Sequence, residues 1–255
     1  MDHWNPAQYE RFRAERSQPY FDLMALVRPR PGMRVVDLGC GTGALTRELH
    51  RRLGAAETVG IDSSDAMLAK SAEFVTDGLR FERGEIAAVS GDARYDLVFS
   101  NAALHWLPGH PALLARLTAM LRDGGQLAVG VPANYDHPSH VVAAEVAAEA
   151  PFRAALGGRS GQPGVLRPEE YAVLLDRLGY RAQHVRLQVY GHRLASREEV
   201  IEWVKGTLLI AYRGGLDDAL YDAFVARYRE RLLSRLEDRR PYFFDFRRIL
   251  LWAER

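Results

Sequence analysis

The segment Val35-Val36-Asp37-Leu38-Gly39-Cys40-Gly41-Thr42-Gly43 does most to narrow what this chain can become. An apolar run ends in an acid, and a glycine-dense turn follows at once. Beyond it, Ala44-Leu45-Thr46-Arg47-Glu48-Leu49 reads as a helix. Strand, glycine turn and helix together bring backbone N–H groups close to a small ligand. One glycine permits the sharp turn, another leaves the main chain bare where the ligand touches it, and a third lets the helix pack closely on the strand.

Gly39-x-Gly41-x-x-Ala44 also fits the dinucleotide fingerprint, so the glycines alone do not exclude NAD. Asp37 argues against it, because a carboxylate beside the loop repels a pyrophosphate and attracts an ammonium. S-adenosylmethionine carries an ammonium and a sulfonium and no phosphate. A second acid, Asp62, ends the next apolar run, Thr58-Val59-Gly60-Ile61. From that position an acid accepts hydrogen bonds from ribose hydroxyls.

Strand and helix patterns alternate from Arg34 to Pro132. Strands are expected at 34–38, 58–62, 79–83, 95–101 and 126–131, and helices at 43–53, 64–74 and 111–121, with Ser63 or Ser64 capping the second helix. Such alternation gives a parallel sheet covered on both faces, with ligands at the carboxyl ends of its strands. Two helices, 6–16 and 20–27, precede the sheet. Later segments read as helices at 139–149, 168–178, 196–207 and 217–236, and as strands at 181–190 and 244–253, the last antiparallel. The expected fold is α/β: a Rossmann-like, doubly wound, mostly parallel seven-stranded sheet with an N-terminal helical lid and helical cap insertions. It is read as a single domain, with lid helices over 1–30, a cofactor-binding core over 31–132 and cap helices and last strands over 133–255.

A formal net charge of +1 gives no case for a nucleic-acid or membrane surface, and no apolar run spans a bilayer. No signal peptide is evident, and Cys40 is the only cysteine. A reducing, cytoplasmic setting is therefore expected, with Cys40 a small buried residue of the loop rather than a nucleophile. No His, Cys or acid spacing points to a metal.

Several motifs together resemble the class I S-adenosylmethionine-dependent methyltransferases: the glycine loop, Asp62, Gly84-Glu85-Ile86 and Ser100-Asn101-Ala102-Ala103-Leu104-His105-Trp106. Within that class the chain resembles the trans-aconitate methyltransferases, through Trp4-Asn5-Pro6-Ala7-Gln8-Tyr9, Ala14-Glu15-Arg16, Ala66-Met67, Pro138-Ser139-His140-Val141 and Ile201-Glu202-Trp203-Val204. The resemblance implies that Asp37, Gly39, Cys40, Gly41 and Gly43 hold the methionine part of the cofactor. It implies that Asp62 binds the ribose, that Ser63 and Met67 flank the adenine, that Glu85 and Ile86 line its pocket, and that Asn101 sits beside the methionine moiety. Tyr9 and Arg16 would close over the cofactor from the lid, Arg16 meeting its carboxylate.

The chain departs from the family where many members carry Arg-Pro after the Trp-Val helix. Ile210-Ala211 stands there, with Arg213 just beyond as a substitute reader of an acidic substrate. Trp4, Trp106 and Tyr135 are further candidates to face substrate. The basic cluster Arg235, Arg239, Arg240, Arg247 and Arg248 reads as a solvated face.

Methyl transfer from a sulfonium is an in-line displacement in which positioning and partial desolvation do most of the work. An ionised carboxylate acceptor has no proton to lose and needs no base. A phenol or amine would favour one, and His105, His137 and His140 are the candidates. The expected activity is O-methylation of a small organic acid, trans-aconitate being the acceptor the resemblance implies. A less acidic acceptor and a non-catalytic cofactor-binding protein are the alternatives. A monomer or homodimer is expected.

Overall fold

The computed structural model describes residues 13–91, 93–157 and 164–255, with side chains from Ser17 onward. Elements follow in the order α1 (Arg13–Met24), β1 (Arg34–Leu38), α2 (Ala44–Leu53), β2 (Glu57–Asp62), α3 (Asp65–Ser71), β3 (Leu79–Arg83), β4 (Tyr95–Asn101), α4 (His110–Ala119), β5 (Leu121–Pro132), α5 (Pro138–Ala147), α6 (Phe152–Ala155), α7 (Pro168–Arg177), β6 (Ala182–Leu194), α8 (Glu198–Lys205), α9 (Ile210–Arg213), α10 (Asp218–Arg235) and β7 (Tyr242–Glu254). The seven strands form one sheet in the order β3-β2-β1-β4-β5-β7-β6. Strands β1 to β5 pair in parallel, and β7 runs antiparallel to β5. The α/β, mostly parallel, doubly wound architecture expected from the sequence is the one observed. No helix among the described residues is long and apolar enough to cross a membrane.

The chain falls into two compact units. The sheet unit comprises Arg16–Pro132, Pro163–Gln188 and Arg248–Arg255, and the helical unit comprises Met1–Glu15, Ala133–Gln162 and Val189–Arg247. In the sheet unit, β1 and β4 are apolar because both faces are covered, and Val35, Val36, Leu97, Val98 and Phe99 are fully buried. Burying each such side chain contributes about 1.5–3 kcal/mol. Tyr20, Leu23 and Met24 join Val35, Leu97, Phe99 and Trp252 in one core. That buried face explains a departure from expectation, since α1 runs straight through Pro19 instead of breaking before Tyr20. A proline inside a helix costs about 3 kcal/mol, and the burial of Tyr20, Leu23 and Met24 is large enough to offset it. A second departure lies in β5, which begins at Leu121. The register jumps from Tyr95↔Leu121 to Leu97↔Gln126, so the glycine pair that reads as a helix stop is a bulge within the strand.

The core of the helical unit is built on aromatic rings. Trp203 lies 5.7 Å from both Phe244 and Phe246, centroid to centroid, and Phe152 meets Phe224 edge-on at 5.3 Å. Val142, Val146, Val200, Tyr212 and Tyr228 complete it. The Tyr228 hydroxyl donates to the Ser139 carbonyl at 3.0 Å, tying α10 to the start of α5.

Candidate active site

The glycine loop leaves β1 and turns at once into α2. Gly39 and Cys40 both donate to the Ile61 carbonyl, at 2.7 and 3.1 Å, so the loop is tied to the end of β2. Ser100 Oγ donates to the Leu38 carbonyl at 2.8 Å and brings the end of β4 alongside. Gly43 has φ +78°, and a Cβ there would lie 2.7 Å from the Phe81 ring and 2.8 Å from Ser71 Cβ. Only glycine satisfies both constraints, which is how α2 approaches the sheet so closely. Above Gly41 there is open space, with no atom within 4 Å of where a Cβ would stand. No side chain caps α2, so its first-turn N–H groups remain available to a carboxylate.

Asp37 is buried at the foot of this loop. Its Oδ2 accepts from Tyr20 Oη at 2.9 Å and from Thr46 Oγ1 at 2.6 Å. Burial pushes its carboxyl up to about 6, and the nearby Asp62 adds to the rise, while the two hydroxyl donors oppose it. Cys40 is buried, and burial, followed by the charges of Asp37 and Asp62, pushes its thiol well up, so it is no thiolate nucleophile. Asp62 spreads across the loop, accepting from Gly41 N through Oδ2 and from Ser64 N through Oδ1, each at 2.9 Å. Each oxygen keeps a second lone pair for a ligand hydroxyl. Ser64 caps α3 by accepting from Met67 N, while Ser63 is exposed and Met67 half-buried at the same corner. Ile86 Cδ1 lies 3.7 Å from where a Gly39 Cβ would stand, and Glu85 beside it is exposed.

Asn101 ends β4 with a buried Oδ1 that accepts from no described residue. Across the ladder, Gly130 is its register partner, and a Cβ on Gly130 would lie 2.6 Å from that oxygen. Ala102 follows at φ +56°, the one non-glycine residue in the left-handed region among those described. Backbone strain of this kind gathers at binding sites. An acid, an orphan amide oxygen, an uncapped helix start and an open glycine together suit a ligand with an ammonium, a carboxylate and ribose hydroxyls. The residues present therefore fit S-adenosylmethionine.

His105 packs against Trp106 with the rings tilted and their centroids 4.7 Å apart, and Trp106 is exposed. In the helical unit Tyr135 meets His140 edge-on at 6.4 Å. The side chain of Ser139 does not cap α5. His137 does, accepting from Ser139 N at 3.1 Å through Nδ1. That nitrogen is therefore unprotonated, and Ser139 Oγ, 2.8 Å away, donates to it. Ser139 Oγ then accepts from His140 Nδ1 at 3.1 Å, which leaves His140 Nε2 as the basic nitrogen. Burial holds both imidazoles neutral, with His140 lowered to about 4.

Ile210 is half-buried at the start of α9. Arg213 is paired with Asp218 at 2.9 Å and stacks over Tyr221 at 4.8 Å, so it is already committed to its neighbours. In the basic cluster, Arg235 pairs with Glu145 and Arg247 with Asp136, and Arg248 is buried. Arg239 and Arg240 line, with Arg193, Pro241 and Phe243, a recess of about 300 Å³ in the helical unit. Trp4 and Tyr9, and the side chain of Arg16, lie outside the described residues.

Fold and site define a class I methyltransferase that draws its methyl group from S-adenosylmethionine. A methyltransferase domain model matches residues 35–125. The chain is 46% identical to a trans-aconitate 2-methyltransferase of Deinococcus radiodurans over 99% of this chain and 98% of that protein. It is 38% identical to one of Rhizobium meliloti over 90% and 89%. It belongs to the trans-aconitate 2-methyltransferase family. Among solved structures, the YcgJ protein of Bacillus subtilis shares the fold at TM-score 0.62 and 14% identity, over 93% of this chain and 97% of that one. An S-adenosylmethionine-dependent methyltransferase of Mesorhizobium loti does so at TM-score 0.52 and 22% identity, over 92% and 96%.

Proposed function

We propose that this enzyme methylates a carboxylate oxygen of a small organic acid, trans-aconitate being the acceptor favoured. The observation that carries the proposal is 46% identity with a trans-aconitate 2-methyltransferase across nearly the whole of both chains. When bound, S-adenosylmethionine would supply an activated methyl group on a sulfonium, which an acceptor oxygen would displace, the C–S electron pair leaving on sulfur.

The chain's own residues bind and orient. Asp37 and Asn101 meet the ammonium, the bare N–H groups of α2 meet the carboxylate, and Asp62 takes the ribose hydroxyls. Ser63, Met67, Glu85 and Ile86 border the adenine. Arg16 supplements α2 at the cofactor's carboxylate, Tyr9 closes over the reacting centre from the lid as a catalytic candidate, and Trp4, Trp106, Tyr135, Ile210 and Arg213 are the candidates for acceptor binding. A carboxylate attacks as it stands, so no side chain must remove a proton. His105 and the neutral His140 then serve as hydrogen-bonding groups rather than as bases.

One observation favours a second reading. Arg213 is committed to Asp218 while Ile210 stands at the family's arginine position, which suits an acceptor with fewer charges, such as an apolar acid or a phenol. The two readings differ in pH response. A carboxylate gives a kcat that is level from about pH 6 to 8, whereas a phenol gives a rising one as its proton becomes easier to lose. A cytoplasmic monomer or homodimer completes the proposal, the lone Cys40 fitting a reducing compartment. Mass spectrometry of the product formed from trans-aconitate and S-adenosylmethionine tests it. A mono-methyl ester supports the first reading, and ester from apolar acids alone supports the second.

A further inference from the structure

Asp37 is held by two hydroxyl groups that belong to no motif of the loop. Every hydrogen bond to its carboxyl among the described residues falls on one oxygen, Oδ2, from Tyr20 Oη and Thr46 Oγ1. The donors come from different elements, α1 and α2, and both are buried. The Tyr20 ring packs against Phe99 of β4 with centroids 4.8 Å apart, so core packing fixes its hydroxyl. Thr46 is wholly buried in the first turn of α2, where its hydroxyl has no solvent to turn to.

Two donors on one oxygen and none on the other make a directional arrangement. A buried carboxylate with no cation beside it is costly, and two neutral donors recover part of that cost. The remaining lone pairs, on Oδ1, can be satisfied by a ligand cation.

We propose that Tyr20 and Thr46 are positioning residues, which anchor Asp37 Oδ2 and so aim Oδ1 at the ammonium of bound S-adenosylmethionine. The proposal rests on the reading of Asp37 given above. Among the described residues, the ionisable groups that face Asp37 are Tyr20, Cys40 and Asp62. None is a cation, so the ligand is the one positive charge the arrangement anticipates. Because the hydroxyls favour the charged carboxyl, removing either one raises the pH at which Asp37 gains a proton.

The test is calorimetric titration of S-adenosylmethionine into the full-length wild type and the variants Y20F, T46V, T46S and D37N from pH 5 to 8, with steady-state kinetics alongside. Y20F and T46V are expected to bind about tenfold more weakly at pH 7.5. Their KM for the cofactor should rise more than kcat falls, and the acid limb of binding should move from about pH 6 toward neutrality. T46S, which restores the hydroxyl, should recover both affinity and limb. Wild-type affinity and an unmoved limb in Y20F and T46V overturn the proposal, as does a T46S variant that recovers the melting temperature without recovering the limb. D37N separates the two ideas. Weak binding by D37N with no effect of Y20F or T46V removes the positioning role alone, whereas wild-type binding by D37N removes the reading of Asp37 itself.

Discussion

At the scale of the residue, the donor site turns on a carboxyl that has been made reluctant to ionise. Burial pushes the Asp37 carboxyl up to about 6 from an ordinary value of about 3.8. Its folded value is raised, so the stability it contributes is fully present below about pH 4 and is lost as pH rises through 6. A two-unit difference corresponds to about 3 kcal/mol. Melting curves of the free protein at pH 5 and 7 should show a stability loss on raising the pH that D37N lacks. Ligand binding runs the other way, because the ammonium needs the ionised form. The wild type should therefore lose affinity for S-adenosylmethionine about tenfold per pH unit below 6, by calorimetry, with D37N weak and level throughout. Asp37 and Asp62 were legible in the sequence because each ends an apolar run beside glycine. Tyr20 and Thr46 were not, since they reach Asp37 from 17 and 9 residues away with no motif spacing to mark them.

At the scale of the element, the parallel strands were the most legible part of the chain. Strands buried on both faces are continuous apolar runs, and their ends carry the glycines and acids of the site. What escaped was decided by packing. Pro19 reads as a break, yet the buried Tyr20, Leu23 and Met24 carry α1 through it. His137 caps α5, because its imidazole Nδ1 reaches the Ser139 N–H, and no sequence rule marks a histidine for that task. Helix α9 is only four residues long and has neither a side-chain cap nor a period to betray it. The pairing of β4 with β5 gives a prediction of its own. A Gly130→Ala methyl would sit 2.6 Å from Asn101 Oδ1 and displace it. Affinity for S-adenosylmethionine should fall about tenfold while the melting temperature changes by only a few degrees. A variant that binds normally would show that Asn101 Oδ1 does not meet the ligand. In the aromatic core of the helical unit, Trp203→Ala should cost about 3–5 kcal/mol, read as a lowered denaturant midpoint.

At the scale of the whole molecule, all the residues assigned to the cofactor with described side chains lie in the sheet unit. Methyl-donor binding should therefore report on that unit directly. Saturation with S-adenosylmethionine at a hundred times Kd should stabilise the protein by about 2.7 kcal/mol, visible as a melting temperature several degrees higher. NAD, which the glycines alone would admit and Asp37 disfavours, should produce no shift. The acceptor was less legible than the donor. The loop motif belongs to the donor chemistry of a very large class, while the residues that read an acid are scattered, and Arg213 proves to be engaged by Asp218. R213A should accordingly leave the KM for an acid acceptor within about twofold of wild type.

The central claim is that a carboxylate of trans-aconitate receives the methyl group. Incubating the purified enzyme with trans-aconitate and S-adenosylmethionine labelled in its methyl group, then separating products by liquid chromatography and mass spectrometry, tests it most directly. One labelled methyl ester is expected, formed with stoichiometric S-adenosylhomocysteine and with a kcat level from about pH 6 to 8. Cofactor binding without any labelled ester from trans-aconitate would contradict it.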